Sequence, residues 1–99
     1  MNIRHLTFRL LQVYIAVIKT GSISQAAVQL HLSQPTVSQQ IKRLSETVGQ
    51  PLITLQEGTY KPTFVGMELY HAALDALARF DEFNHTLSAA NEGTQGSLS

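Results

Sequence analysis

Polar side chains recur at helical spacing between residues 34 and 42. Four of them, together with Pro35, fall at positions i, i+1, i+4, i+5 and i+8 and would share one stripe of a helix: Gln34, Pro35, Ser38, Gln39 and Lys42. An amide can form two hydrogen bonds with a base edge, and an ammonium group can pair with a phosphate. The stripe therefore has the chemistry of a surface that contacts base edges flanked by phosphates.

The same stretch carries an apolar stripe, which predicts a buried face on the opposite side of the helix. Its members recur at i, i+4, i+7 and i+11: Val37, Ile41, Leu44 and Val48. Ser33 offers an N-cap hydroxyl, and Pro35 lies in the first turn, where a missing N–H is tolerated. Gly49 provides a stop signal. These signals predict an amphipathic helix between Ser33 and Gly49.

Two further helices are predicted before it. The stretch from Leu6 to Lys19 is apolar over most of a helical surface, and Gly21 would end that helix. Arg4, His5 and Arg9 lie at its start, either as phosphate contacts or as ordinary solvated charges. This first helix should be buried between other elements.

The second helix is short and begins with the sequence Ser22-Ile23-Ser24-Gln25, which matches a capping box. In that motif Ser22 caps the helix, and the Gln25 side chain reaches back to the N–H of Ser22. Ala26, Ala27 and Leu30 would face inward, with a turn at residues 31–32. Two short helices joined by such a turn predict a helix-turn-helix, although a helix corner without a nucleic-acid role has the same pattern.

A β-hairpin should follow. Residues 51–55 are typical of a strand, residues 56–59 of a turn, and Tyr60-Lys61 of the returning strand. This hairpin would be the wing of a winged helix, and Thr59, Tyr60 and Lys61 near its tip suit a sugar-phosphate backbone. A hairpin that only covers the core is the alternative, and for Tyr60 the two interpretations are equal.

A long helix is predicted from Thr63, which can cap it, to about Ala90. Its apolar residues keep the 4-3 spacing of a coiled-coil seam: Leu69, Ala73, Ala76, Phe80, Phe83 and Leu87. A second apolar stripe accompanies only the first half. We therefore expect the first half to pack on its own domain and the second half to form a homodimer, with packing inside one chain as the alternative. The last residues are rich in Gly, Ser and Thr, as in a linker.

Composition bounds these expectations. The 99 residues suffice for one domain, and the lack of cysteine excludes disulfides and thiolate metal sites. The formal charge is zero, yet residues 1–61 carry +4 and residues 62–99 carry −4. This polarity would let one end approach phosphates, unless the charges are simply solvated. No apolar run or leader pattern predicts a membrane segment, so we expect a cytoplasmic protein.

At this point the motifs resemble a known family. They are Gly21-Ser22, Ala26-Ala27, Leu30 to Pro35, Ser38 to Ile41, Leu44, Gly49, Pro51-Leu52, and Thr63 with Gly66. Together they resemble the N-terminal DNA-binding domain of LysR-type transcriptional regulators over roughly residues 4–90. The resemblance implies a mainly α fold: a winged helix-turn-helix in residues 1–61, with three helices and a two-stranded wing. A dimerisation linker helix would occupy residues 62–91, and a flexible tail, residues 92–99, would lead to an effector-binding domain outside this chain.

The resemblance also implies roles for individual residues. The base-reading residues would be Gln34, Pro35, Thr36, Ser38 and Gln39. The phosphate contacts would be Ser22, Ser33, Lys42, Arg43, Thr59 and Lys61, where Thr59 also follows from its place near the wing tip. Two positions depart from the family pattern, because Gln39 and Leu55 stand where arginine is common. The first changes which base could be recognised, and the second removes a cation from the wing.

The function implied is sequence-specific binding of double-stranded DNA by a bacterial repressor or activator. It would act as a dimer on an inverted repeat, or as a tetramer in the full-length protein. A winged-helix regulator of another family, such as a molybdate-responsive type, and a winged-helix protein-interaction module are the alternatives. No enzyme, metal or cofactor is expected in this part of the protein, because neither metal-spaced histidines nor a phosphate loop is present. A small-molecule effector is expected for the other domain.

Overall fold

A computed structural model describes residues 1–98, with side chains described as far as residue 92. A 3-10 turn at Ile3–His5 precedes three helices, the wing and a long helix. The elements are α1 (Phe8–Thr20), α2 (Ile23–Leu30), α3 (Gln34–Val48), β1 (Ile53–Gln56), β2 (Thr59–Pro62) and α4 (Phe64–Leu98). The predicted winged helix-turn-helix followed by a long helix is confirmed.

Helix α1 begins two residues later than predicted. Thr7 is its N-cap, because the Thr7 hydroxyl accepts a hydrogen bond from the N–H of Leu10 at 3.2 Å. Leu6 has an extended backbone and packs against the core from outside the helix. The apolar side chain of Leu6 fits the helical pattern, but the helix begins after Thr7 because the Thr7 hydroxyl caps it. Gly21, with φ of +68°, ends the helix as expected.

One of the two hydrogen bonds of the predicted capping box forms at the start of α2. The Ser22 hydroxyl accepts from the N–H of Gln25 at 3.1 Å. The N–H of Ser22, however, donates to the hydroxyl of Thr20 at 3.2 Å, so the predicted return contact from the Gln25 side chain does not form. Thr20 ends the preceding helix and is separated from Ser22 by a single glycine, so its hydroxyl lies within hydrogen-bond distance of this N–H.

Helix α1 lies at the centre of the core and contacts α2, α3, β2 and α4. Tyr14 is fully buried there, and its hydroxyl donates to the carbonyl oxygen of Leu52 at 2.8 Å. Burial without a nearby charge raises the pKa of Tyr14 to about 12. A Cβ atom added at Gly66 would clash with both this hydroxyl and the Leu52 oxygen. Glycine at position 66 therefore lets α4 approach α1 closely.

The wing is a two-stranded antiparallel hairpin in which Gln56 pairs with Thr59. Glu57 and Gly58 form its two-residue turn, both with positive φ, as a type I′ turn requires. The first strand begins at Ile53 rather than at Pro51. The carbonyl oxygen of Pro51 accepts from the Thr63 hydroxyl at 2.7 Å instead of joining the ladder.

Helix α4 begins at Phe64, and the predicted cap is confirmed, since the Thr63 hydroxyl accepts from the N–H of Gly66 at 3.0 Å. The helix continues to Leu98, beyond the predicted end near Ala90. Extending an existing helix requires no new nucleation, which offsets the weak helix propensity of this last stretch. The predicted flexible tail is thus helical as far as residue 98, and its last residue lies outside the described residues.

The two halves of α4 have different surroundings. Ala73 is 1% exposed and packs with Leu11 and Ile15 of α1, and Leu69 packs against the same cluster. Both belong to the predicted dimer seam, but the structure places them against their own chain because the two apolar stripes of the first half together cover α1. Farther along, Phe80 meets Phe8 edge to face with ring centroids 4.8 Å apart.

Beyond that contact, the remaining seam residues Phe83 and Leu87 are 59% and 44% exposed, while Ala76, in the first half, is partly covered. Among the helices of residues 1–98, none combines the length and the hydropathy needed to cross a membrane.

Candidate nucleic-acid interface

Helix α3 separates its apolar and polar stripes as the sequence predicts. Val37, Ile41 and Leu44 are buried in the core. Pro35 and the polar residues on the other side are exposed: Gln34, Pro35, Ser38, Gln39 and Lys42. The predicted base-reading residues are therefore brought together on one solvent-facing surface, with the exception of Thr36.

Thr36 differs from its neighbours because its hydroxyl is engaged within the chain. It is half-buried and lies 2.8 Å from the hydroxyl of Ser33. The same Ser33 oxygen accepts from the N–H of Thr36 at 3.2 Å, which makes Ser33 the N-cap of α3. Capping fixes the first turn of the helix, so the positions of Gln34 and Pro35 relative to the core are fixed as well.

An open cleft of about 300 Å³ separates the first turns of α3 from the wing. We call it the wing cleft, and it is lined by Gly21, Ser22, Ile23, Ser24, Gln34, Ser38, Gly58 and Tyr60. Its lining is uncharged, and its polar groups are hydroxyls and one amide. The hydroxyls of Ser22 and Ser24 lie 3.3 Å apart at the start of α2. Hydroxyls and amide N–H groups at a helix start suit a phosphate oxygen.

The wing is attached to this cleft through the backbone. The N–H of Tyr60 donates to the carbonyl oxygen of Gly21 at 2.9 Å. Tyr60 packs partly against the core, so for this residue the structure supports the covering role. Thr59 and Lys61 alternate with it on β2 and are exposed, although the methyl group of Thr59 lies against Gly21. Leu55, the other departure from the family pattern, is also exposed.

A second open site lies at the other end of α3. This groove of about 530 Å³, which we call the basic groove, is lined by Arg4, His5, Thr7, Arg9, Leu10, Gln40, Arg43 and Thr47. A shallower hollow adjoins it and includes Lys42 and Glu46. Arg43 is a predicted phosphate contact, whereas for Arg4 and Arg9 the sequence left the role open. The signal that could have joined them is the match between basic residues at the start of α1 and at the end of α3.

Comparison with known proteins gives the family. The profile of the bacterial regulatory helix-turn-helix proteins, lysR family, matches residues 8–67. The RuBisCO operon transcriptional regulator of Acidithiobacillus ferrooxidans is 37% identical over 98 residues, covering 99% of this chain and 32% of that protein. The transcriptional activator protein LysR of Escherichia coli is 31% identical over 99 residues, covering all of this chain and 30% of that protein. The chain thus spans about a third of the length of the curated relatives it matches.

Solved structures agree with this match in fold. The BenM DBD in complex with benA site 1 DNA superimposes with a TM-score of 0.80 at 28% identity, over 85% of this chain and 94% of that one. The CbnR DBD in complex with DNA gives a TM-score of 0.78 at 28% identity, over 86% and 98% of the two chains. The chain therefore belongs to the lysR family of bacterial regulatory helix-turn-helix proteins.

Proposed function

We propose that this chain is the part of a transcriptional regulator that binds double-stranded DNA in a sequence-specific manner. The observation that carries the proposal is the exposed polar stripe of α3, which lies opposite the buried Val37, Ile41 and Leu44 and between two open sites suited to phosphates. A major groove about 12 Å wide admits one such helix. The relatives that superimpose in complex with DNA support the same placement.

In this arrangement the first turns of α3 contact the bases. Gln34 and Gln39 can each pair with an adenine edge through two hydrogen bonds, and the hydroxyl of Ser38 can join either kind of base pair. Pro35 and the methyl group of Thr36 can contact a thymine methyl. We therefore expect half-sites that contain A·T pairs.

Phosphates would be held on both sides of those bases. The neutral contacts are Ser22, Ser33 and Thr59, and the charged contacts are Lys42, Arg43 and Lys61. Neutral and charged contacts differ in their response to salt, because only cationic side chains release the counterions condensed on DNA. With about three charged contacts in each protomer, a dimer should show a log–log salt slope of roughly −5.

We propose further that two copies bind together through the outer part of α4. Phe83 and Leu87 are large apolar residues left exposed there, and Phe80 is only partly covered by Phe8. Burial of this surface against a second copy would present two α3 helices to successive major grooves, about 34 Å or a multiple of it apart. The matching operator is an inverted repeat, since the symmetry of the site follows that of the protein.

The remaining parts of the proposal concern the whole protein. Because the curated relatives are about three times as long as this chain, we propose that a further domain binds a small-molecule effector. A partner that is chromosomal DNA also implies the bacterial cytoplasm as the location of the protein.

Selection of bound duplexes from a random pool tests the proposal, because it reports affinity, half-site sequence and spacing together. Gln34→Ala should then weaken binding to the selected site by roughly 1–3 kcal/mol and relax the preference at one position. Lys42→Gln is the matched control on the same helix. It should weaken binding to all sequences alike and lower the salt slope by about one unit for each protomer.

Two outcomes would contradict the proposal. If Gln34→Ala discriminates among operator variants as the parent does, this residue does not read bases. If the parent chain binds no duplex even at low salt, a protein-interaction module explains the fold better.

A further inference from the structure

We propose that the basic groove binds backbone phosphates of the duplex that lie outside the bases contacted by α3. The residues around Arg4 and Arg9 at the start of the chain would then form a second DNA-binding site, distinct from the wing. This inference rests on the proposed function and adds a partner site to it.

The composition of the groove is the first argument. It brings together three guanidinium groups: those of the 3-10 turn and of α1, which are neighbours in the sequence, and that of the distant α3. No carboxylate lines the groove, and the one ion pair among the described residues joins Arg79 to Glu82 on α4. Glu46 lies in the adjoining hollow and forms no ion pair there. Three guanidinium groups with no carboxylate in the lining of the groove itself create a positive potential that attracts an anion.

The 3-10 turn that carries Arg4 is held in place by its own hydrogen bonds. The side-chain oxygen of Asn2 accepts from the N–H of Arg4 at 3.0 Å, and the carbonyl oxygen of Asn2 accepts from the N–H of His5 at 3.0 Å. Leu6 then packs against the core and Thr7 caps α1. The guanidinium of Arg4 is therefore attached to an anchored turn, which reduces the entropy lost when it binds a ligand.

A second, independent observation comes from Gln40. Its side-chain oxygen is buried at the groove and has no hydrogen-bond partner among the described residues. Buried polar atoms without partners are rare in folded proteins and call for an explanation. A phosphate in the groove would draw guanidinium groups inward, and their spare N–H groups could then donate to this oxygen.

The position of the groove along α3 favours backbone phosphates as its ligand. Arg43 follows Gln34 by nine residues, or about 13.5 Å along the helix axis. That distance matches the width of the major groove, about 12 Å, so a helix whose first turn contacts bases brings its third turn to the phosphate wall. The wing cleft lies at the opposite end of α3, with Gln34 in its lining. The two sites would therefore hold the backbone on opposite sides of the base contacts.

The experiment compares the parent chain with the double variant Arg4→Gln/Arg9→Gln on two duplexes. One duplex carries the selected site with additional base pairs on both sides, and the other is trimmed to the bases contacted by α3. Both arginines are exposed and lie outside α3, so the fold and the base contacts should be retained. Arg4→Lys/Arg9→Lys is the matched control, because it keeps the charge.

On the long duplex the Gln variant should show a salt slope smaller by about 0.9 for each phosphate that is no longer neutralised, and its affinity should fall equally for all sequences. On the trimmed duplex it should bind like the parent, and the Lys variant should keep most of the slope on both. An unchanged slope on the long duplex would overturn the inference, as would an equal fall in slope on both duplexes.

Further measurements distinguish this inference from a small-anion site and from failure of the proposed function. Inorganic phosphate and a mononucleotide are titrated into the parent and the Gln variant by calorimetry. If either ligand binds the parent and not the variant, while duplex affinity stays the same, the groove is a small-anion site and the backbone assignment is overturned. If the parent binds no duplex at all, the proposed function fails, whereas binding by the parent and the Gln variant with equal slopes contradicts this inference alone.

Discussion

Helix α1 buries seven of its 13 residues, whereas α3 buries three of its 15. Both helices begin at a hydroxyl N-cap and end at a glycine with positive φ. Their local signals are thus equivalent, and the difference lies in what surrounds them. Helix α1 is covered by α2 and α3 on one side and by α4 on another, while α3 contacts the core along a single stripe.

This difference separates stability from recognition within one small domain. A change in α1 should alter the free energy of unfolding, because nearly every apolar side chain of α1 is packed. A change in α3 should alter either stability or DNA binding, depending on the stripe. The comparison can be tested by substitutions that act on one property and leave the other unchanged.

The largest effect is expected on the buried stripe of α3. Leu44→Ala removes a fully buried side chain and should lower the free energy of unfolding by roughly 2–5 kcal/mol. Gln39→Ala, on the exposed stripe, should change it by less than about 0.5 kcal/mol. Chemical denaturation measures both. Equal decreases for the two variants would show that the stripes are not separate.

A smaller effect is expected from the pH dependence of α1. The pKa of Tyr14 rises from 10.0 in the unfolded chain to about 12 in the fold, so the folded state holds this proton more tightly. The resulting stability is fully present below pH 10 and is lost as the pH rises through about 12. A shift of this size corresponds to roughly 2–3 kcal/mol.

Denaturation of the parent and of Tyr14→Phe at a series of pH values tests this expectation. The variant should lose this part of the pH dependence, and it should also be less stable at neutral pH by about 1 kcal/mol, because the hydrogen bond to Leu52 is gone. A variant with the pH profile of the parent would exclude Tyr14 as the titrating group.

The smallest effect comes from the two N-caps and compares the helices most directly. Thr7→Ala and Ser33→Ala each remove a hydroxyl that accepts from a backbone N–H, and each should lower stability by about 1 kcal/mol. Ser33→Ala should weaken duplex binding more than Thr7→Ala does, since Ser33 begins the helix that we propose contacts bases, whereas Thr7 borders only the basic groove. A similar weakening of binding in both variants would place α1 and α3 in the same role.

The sequence predicted most of the elements because their signals are local. Ser33 and Gly49 bound α3, and Thr63 caps α4, as capping rules require. The errors arise where a competing partner is nearby. Thr20 takes the N–H that Gln25 was expected to hold, and Leu6 lies outside the helix that its hydrophobicity suggested.

The candidate site was predicted in part for a similar reason. The exposed stripe of α3 follows from periodicity alone, because one helix carries all of its members. The basic groove brings together Arg4, Arg9 and Arg43 from three elements, and no local sequence pattern predicts that these three residues line one groove. The 4-3 spacing assigned Ala73 to the dimer seam, although the first half of α4 was expected to pack on its own domain. The structure covers Ala73 with α1, in agreement with the second expectation.

The close approach at Gly66 has a mechanical consequence. Helix α4 is pinned against the domain at that residue and then runs outward, so Leu87 lies about 32 Å farther along its axis. Ala73 and Phe80 also contact α1, so a tilt about Gly66 would have to disturb both contacts; a tilt of about 10° would shift Leu87 by roughly 5 Å. A side chain as small as alanine at position 66 could thus redirect whatever the far end of the helix carries. The direction of the outer part of α4 therefore depends on the absence of a methyl group at position 66.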